Sequence, residues 1–332
     1  FWMAVGVFVS GLAASFLYLG LEFDAYTWKG GWMVPVTGFF VLTAGCFKNG
    51  FIGGVLLIMA AVVSAYMHGR ALAGICFGSG LFLMVALLYG KRRSVGLALS
   101  TKALICMLML LFFLLFISIA TRFAASGKLG EEARQKNSYQ IERGNEFLGD
   151  MPMPMRWLLA PLFGGRIELM VSYQAVAASH LLGYGSWAKD PRFVELFAVY
   201  EGKSVEQLRA ESSEGYVDRG LIPTHSHFFG SWVDAGLVGA LFWGFIFLLV
   251  VESLFVLLVA PMEHKAIFVY FLMNAAWDIW FSPFDTPRRL LDAMVVTIAC
   301  VVINNGLRTH GPLRMALGRM SRRRLSSGVA SP

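Results

Sequence analysis

The sequence predicts an all-α polytopic membrane protein with about eight transmembrane helices and a large outer-face loop that contains short helices. Two observations lead there. Of 332 residues, 57% are hydrophobic and 15% charged, and the mean hydropathy is +0.63, more apolar surface than a water-soluble core of this length encloses. The apolar residues also run continuously, over stretches near the ~20 residues that cross the hydrocarbon layer, instead of alternating as strands do.

In chain order the candidate spans are 1–20, 31–47, 51–67, 71–90 and 103–120, then, after a hydrophilic middle, 228–259, 266–282 and 290–306. This divides the chain into N-terminal transmembrane helices (1–120), a loop (121–226), C-terminal transmembrane helices (227–307) and a basic tail (308–332). The chain opens on Phe1 inside an apolar run, which leads to the expectation of a truncated N-terminus. The stretch 228–259 exceeds one membrane thickness, so its first part, through Gly236 and Gly239, is expected to stand proud of the bilayer or to bend, lifting His225 toward the loop.

Cytoplasmic loops are enriched in Lys and Arg. Lys91, Arg92, Arg93 and Lys102 flank one connection, and Arg314, Arg319, Arg322, Arg323 and Arg324 crowd the tail. Alternating spans put both clusters on one side; if that side is the cytoplasm, the long loop faces out with Arg70, Arg166 and His225. Arg288 and Arg289 also fall outside, against the rule. The net charge of +7 is therefore read as topology and local anion binding rather than a nucleic-acid footprint, since the basic tail lacks interleaved aromatics and any binding motif. Cys46, Cys76, Cys106 and Cys300 stand singly in apolar runs, without the spacing of a disulfide or zinc framework.

The middle is too long for an idle connection. A charged surface helix is expected over 131–147, a rigid extended break at the alternating prolines of 151–154, and a short apolar helix over 156–163 that lies on or dips into the membrane. Gly164 and Gly165 end it. An apolar helical stripe over 167–182 closes on Gly183 and Gly185, where a turn with unusual backbone angles is expected, and a mixed-charge helix is expected over 191–211.

Two segments carry the chemistry, GGRIELMVSYQAVAASHLLGYG from Gly164 and PTHSHFFGSWVDAGLVGALF from Pro223. Each sets a cation or a base beside an apolar helix. Guanidinium forks bind phosphate oxygens in pairs and stay charged at physiological pH, and a histidine accepts a proton near neutrality. Asp234, a carboxylate at the start of an apolar helix, needs a partner and is expected to orient His225 or pair with an arginine. Arg219 and His227 stand near enough in sequence to support the site. No Asp-x-Asp motif or His/Asp cluster with metal spacing occurs in the loop, so no cofactor and no metal ligand is expected.

Arg70 in MHGRALAG, Arg166 in GGRIEL with the following LLGYG, and His225 in THSHFF before DAGLVGALF resemble the signature of the O-antigen ligase and polysaccharide polymerase superfamily of bacterial inner-membrane glycosyltransferases. Ser226 stands where that family usually has Asn, and Asp234 where it usually has Glu. The resemblance implies an undecaprenyl-diphosphate-linked glycan donor and a glycan or lipid acceptor, with Arg70 and Arg166 as diphosphate ligands and His225 as the catalytic residue. It also implies a periplasmic catalytic loop over 121–226, a cytoplasmic tail and other polysaccharide-assembly proteins as partners. A different class, a transporter or flippase of lipid-linked sugars, uses the same arginines without catalysis. It is expected to show internal repeats and mid-membrane ionisable groups in both halves.

Overall fold

The computed structural model describes residues 33–47, 49–67, 69–90, 99–211, 217, 219–260, 262–284 and 286–310. The expected span 1–20, the cluster Lys91–Arg92–Arg93 and the tail beyond 310 lie outside them. Among the described residues there are twelve helices, and the sole β pairing is an isolated antiparallel bridge between Lys189 and Leu221.

The first four helices are α1 (Met33–Cys46), α2 (Gly50–Tyr66), α3 (Arg70–Gly90) and α4 (Leu99–Ala125); the last three are α10 (His227–Val259), α11 (Lys265–Phe281) and α12 (Thr286–His310). Among the described residues four stretches are long and apolar enough to cross a membrane: Arg70–Leu88, Ser100–Ala125, His227–Val259 and Arg288–Gly306. The other three expected spans become helices of 14, 17 and 17 residues. At 1.5 Å per residue these run about 21–26 Å, short of a ~30 Å hydrocarbon layer.

The two groups share one core, in which Leu57 of α2, Leu83 of α3, Val250 and Leu257 of α10, Leu272 of α11 and Val295 of α12 are buried. Small residues bring α2 and α3 together. A Cβ on Gly80 would meet the Gly54 carbonyl oxygen at 2.7 Å, the close backbone approach by which helices pack where water does not drive them together. Glu252 of α10 reaches Lys102 of α4 at 2.7 Å, so the carboxylate within the apolar run is paired.

The middle segment folds as α5 (Glu131–Phe147), α6 (Met153–Phe163), α7 (Ile167–Ala178), α8 (Pro191–Glu201) and α9 (Val205–Glu211). The charged helix has the bounds its charge pattern predicts. The proline break is shorter than expected: Pro152 alone is extended, and Pro154 sits in the first turn of α6, where its missing N–H costs nothing. α6 is fastened to α4 at the Trp157 carbonyl, which accepts from Ser118 Oγ and Arg122 Nη2 while the Arg122 guanidinium lies over the Trp157 ring. The helix expected over 191–211 is two helices. Ser204 and Gln207 form a reciprocal capping box, with Gln207 N donating to Ser204 Oγ and Ser204 N to Gln207 Oε1, so a new helix starts there. Val171, Phe193, Phe197, Val217 and Val233 give this segment a core of its own, and Val233 ties it to α10.

α10 is not one straight rod. Gly236 is non-helical at φ 62°, ψ −150°, a region open to glycine. Beyond it the chain reverses: a Cβ on Gly239 would lie 2.1 Å from the Ser231 carbonyl oxygen, although eight residues of straight helix span about 12 Å. His227 likewise packs on Trp243, with ring centroids 4.9 Å apart. Residues 227–235 therefore fold back as an arm beside the first turns of the helix at 237–259. That helix, about 34 Å long at 1.5 Å per residue, matches one bilayer. The bend expected at the glycines is present, and it returns the arm alongside Trp243.

The broken ends are met by the glycine-rich turn after α7. Tyr184 N donates to the Val233 carbonyl at 2.7 Å, Gly185 N to the Asp234 carbonyl at 3.0 Å, and Leu237 N to the Leu181 carbonyl at 3.1 Å. Gly183 and Gly185 take φ of 71° and 87°, as a turn of unusual backbone angles requires. The two sequence segments that carry the candidate chemistry thus complete each other's backbone hydrogen bonding.

Candidate functional site

Three arginines gather where α3 begins, α11 ends and α12 begins. Arg70 is the first residue of α3, Arg166 the N-cap of α7, and Arg288 lies in the first turn of α12. The charges of Arg70 and Arg166 act on one another, and those of Arg166 and Arg288 do so as well. Arg70 and Arg166, which lie far apart in sequence, are thus within electrostatic reach of one another. Burial pulls the Arg166 guanidinium below its usual value; Glu168 pushes back and Arg288 adds to the fall. The Arg166 guanidinium also lies 5.9 Å from the centre of the Trp277 ring, on the last turns of α11.

Each of these helix starts already carries a partial positive charge from unpaired N–H groups, so a cation there is disfavoured and an anion favoured. Three guanidiniums at three such ends make a strongly electropositive locus. Two carboxylates temper it. Asp278 Oδ1 lies 3.8 Å from Arg288 Nε while its Oδ2 accepts from Asn274 at 2.6 Å, and Glu168 acts on Arg166. Among the described residues, then, three guanidiniums stand with two carboxylates.

His225 is half-buried in the extended stretch that enters the arm, and its neighbours locate it. The Pro223 carbonyl accepts from Ser172 Oγ of α7 at 3.2 Å, and Ser226 Oγ donates to the Ile279 carbonyl of α11 at 2.9 Å while capping the arm at Phe229 N. The histidine is held between the helix that starts at Arg166 and the helix whose end carries Trp277 and Asp278. These bonds fix the backbone on either side of His225, against α7 and α11.

His227 has a different environment. Its side chain is fully buried between Trp243 and Phe284, its Nε2 is 3.1 Å from the Pro283 carbonyl, and its Nδ1 is 3.6 Å from Asp292 Oδ2. The same Pro283 carbonyl accepts from Arg288 Nη1 at 3.1 Å. His227 fastens the arm to the 282–284 connection that positions Arg288, and its burial leaves no face for a substrate.

Asp234 and Arg219 stand apart from this cluster. Asp234 is exposed at the far end of the arm, about 10 Å from its start at 1.5 Å per residue, and its carboxylate accepts from the Ala188 N–H. It orients the 186–190 loop, so the expected pairing with His225 or an arginine is corrected. His227 faces a carboxylate, that of Asp292. Arg219 is exposed over the Trp187 ring at 5.5 Å, beside the Lys189–Leu221 bridge, and braces that loop. Sequence reasoning missed Arg288 as a site residue, although its signal was visible. Arg288 and Arg289 broke the charge rule for loops, and a cation that violates topology is a cation kept for another reason.

Among the described residues no three His, Cys, Asp or Glu side chains gather as metal ligands would. The four cysteines are free; Cys76 is buried and Cys46, Cys106 and Cys300 are exposed on apolar helices. Compared with known proteins, the chain matches no family model, no curated protein and no solved structure.

Proposed function

We propose that the chain is a membrane glycosyltransferase that transfers or polymerises an undecaprenyl-diphosphate-linked glycan in cell-surface polysaccharide synthesis, as an O-antigen or exopolysaccharide polymerase or ligase. The observation that carries this reading is the meeting of Arg70, Arg166 and Arg288 at three helix starts, with His225 held between the flanking helices. A lipid diphosphate has the charge such a locus favours, and its tail needs the apolar helices around it. In this reading the membrane is a bacterial inner membrane and the arginine end is its periplasmic face.

The arginines grip the diphosphate and take up the charge that grows on the leaving oxygen as its bond to the anomeric carbon breaks. The acceptor hydroxyl attacks that carbon, a new C–O bond forms, and the hydroxyl proton passes to His225. Undecaprenyl diphosphate leaves with the electron pair of the broken bond, and His225 returns the proton to water. Guanidinium charge supplies what a divalent cation would, so the proposed mechanism is metal-independent.

Lysine keeps the charge and loses the fork. Arg70→Lys and Arg166→Lys are each expected to weaken donor use about tenfold to hundredfold, since one charge-assisted hydrogen bond is worth about 1.5–3 kcal/mol. Arg192→Lys, at an exposed arginine paired with Asp190, is expected to be silent. The experiment is transfer from a synthetic lipid-linked donor by the reconstituted chain, run with and without excess chelator. Unchanged donor use in both arginine variants overturns the shared site; loss of transfer on chelation that magnesium restores overturns the metal-independent step.

A further inference from the structure

We infer that the turn after α7 is itself immersed in lipid, so that residues 179–183 dip into the same leaflet as the broken end of α10. The inference rests on the membrane reading above but not on any chemistry at the arginines. Its first ground is a continuous apolar surface. Leu181 and Leu182 are 61% and 86% exposed on the turn, and beside them Val238 and Leu241 are 73% and 64% exposed at the start of the 237–259 helix. The same exposed surface runs on down that helix through Phe245 and Leu248. The occupant that covers Leu248 in mid-span therefore extends along this row of exposed side chains to Leu182, with the exposed His180 at its edge. The hydrogen bond from Leu237 N to the Leu181 carbonyl makes the two elements one surface.

The second ground is the backbone. Irregular chain at membrane depth is tolerated where its N–H and C=O groups are satisfied by protein. The turn meets that demand: Gly183 N donates to the Ser179 carbonyl at 3.2 Å, Ser179 Oγ to the Gly183 carbonyl at 3.0 Å, and Leu237 N, Tyr184 N and Gly185 N complete the ladder with the broken helix. The third is the boundary. Trp232 Nε1 donates to the His180 carbonyl at 2.8 Å, an aromatic ring with its polar edge used as at the headgroup level, and the Asp234 carboxylate is turned to the Ala188 N–H on the polar side. A water-facing turn would present two adjacent leucines to solvent at the most exposed point of the segment.

The test is a nitroxide on Leu182→Cys, in a chain whose four native cysteines are alanine, reconstituted in phosphatidylethanolamine–phosphatidylglycerol bilayers. Its collision rates with oxygen and with a water-soluble nickel chelate are compared with those at Leu248→Cys and Asp150→Cys. The expected result is an oxygen-to-nickel ratio that matches position 248 and exceeds position 150 several-fold. A ratio matching position 150 places the turn in water and overturns the inference, and low access to both reagents means cover by protein and overturns it as well. Leu181→Cys is the second reporter if the first fails to fold. Inorganic pyrophosphate binding, measured on the same preparation, reads the arginine site separately, so either idea can fail alone.

Discussion

Gly236→Ala is expected to cost about 3 kcal/mol or more of stability, and to do so where hydropathy alone reports one unbroken helix. At φ 62°, ψ −150° an alanine is strained wherever it stands. Here its Cβ would also lie 2.1 Å from the Leu181 carbonyl oxygen and 2.6 Å from the Leu182 carbonyl carbon, both backbone atoms that cannot step aside like a side-chain tip. Relief requires either straightening α10 or expelling the turn, and each breaks the three hydrogen bonds from Tyr184, Gly185 and Leu237. Gly244→Ala is the control, since its Cβ would meet only the Phe228 ring, at 3.9 Å. Thermal unfolding in detergent, with limited proteolysis near residue 182, reads both. A Gly236→Ala protein that melts with the wild type would mean that the reversal is absent.

That reversal marks where sequence reasoning stopped. Hydropathy reports solvent preference per residue, and the arm, the turn and the span are all apolar, so residues 228–259 read as one run. The two glycines and the excess length announced a bend; its direction was set by partners about fifty residues upstream. Local signals were read well where they act locally: the charge pattern of α5, the Gly164–Gly165 stop after α6 and the left-handed turn at Gly183 and Gly185. The S-V-E-Q capping box at Ser204 is equally local, and it splits the stretch 191–211 into two helices. Apart from the approach of Arg70 and Arg166, pairings across elements were not legible. His225 and Asp234 are close in sequence and lie toward opposite ends of the arm, whereas His227 finds its carboxylate at Asp292, 65 positions away.

The proposed chemistry stands or falls on His225. His225→Ala is expected to lower transfer by about a hundredfold to ten-thousandfold, the usual worth of a positioned general base, while the protein inserts normally and binds lipid-linked donor as before. Binding persists in the proposed site because its diphosphate ligands are arginines on three other elements, and folding persists because the segment is anchored on either side of the histidine through Pro223 and Ser226. His227→Ala is expected to behave differently. It removes a fully buried ring from between Trp243 and Phe284 and releases the Pro283 carbonyl that Arg288 also uses, so stability and donor binding both fall. The pair is compared by turnover at saturating donor, donor affinity and thermal midpoint. A carrier without catalysis would move donor across vesicles unchanged in His225→Ala and form no glycosidic product in either protein. Wild-type turnover in His225→Ala removes the histidine from the mechanism and leaves the arginine cluster as the part of the proposed site that acts on the donor.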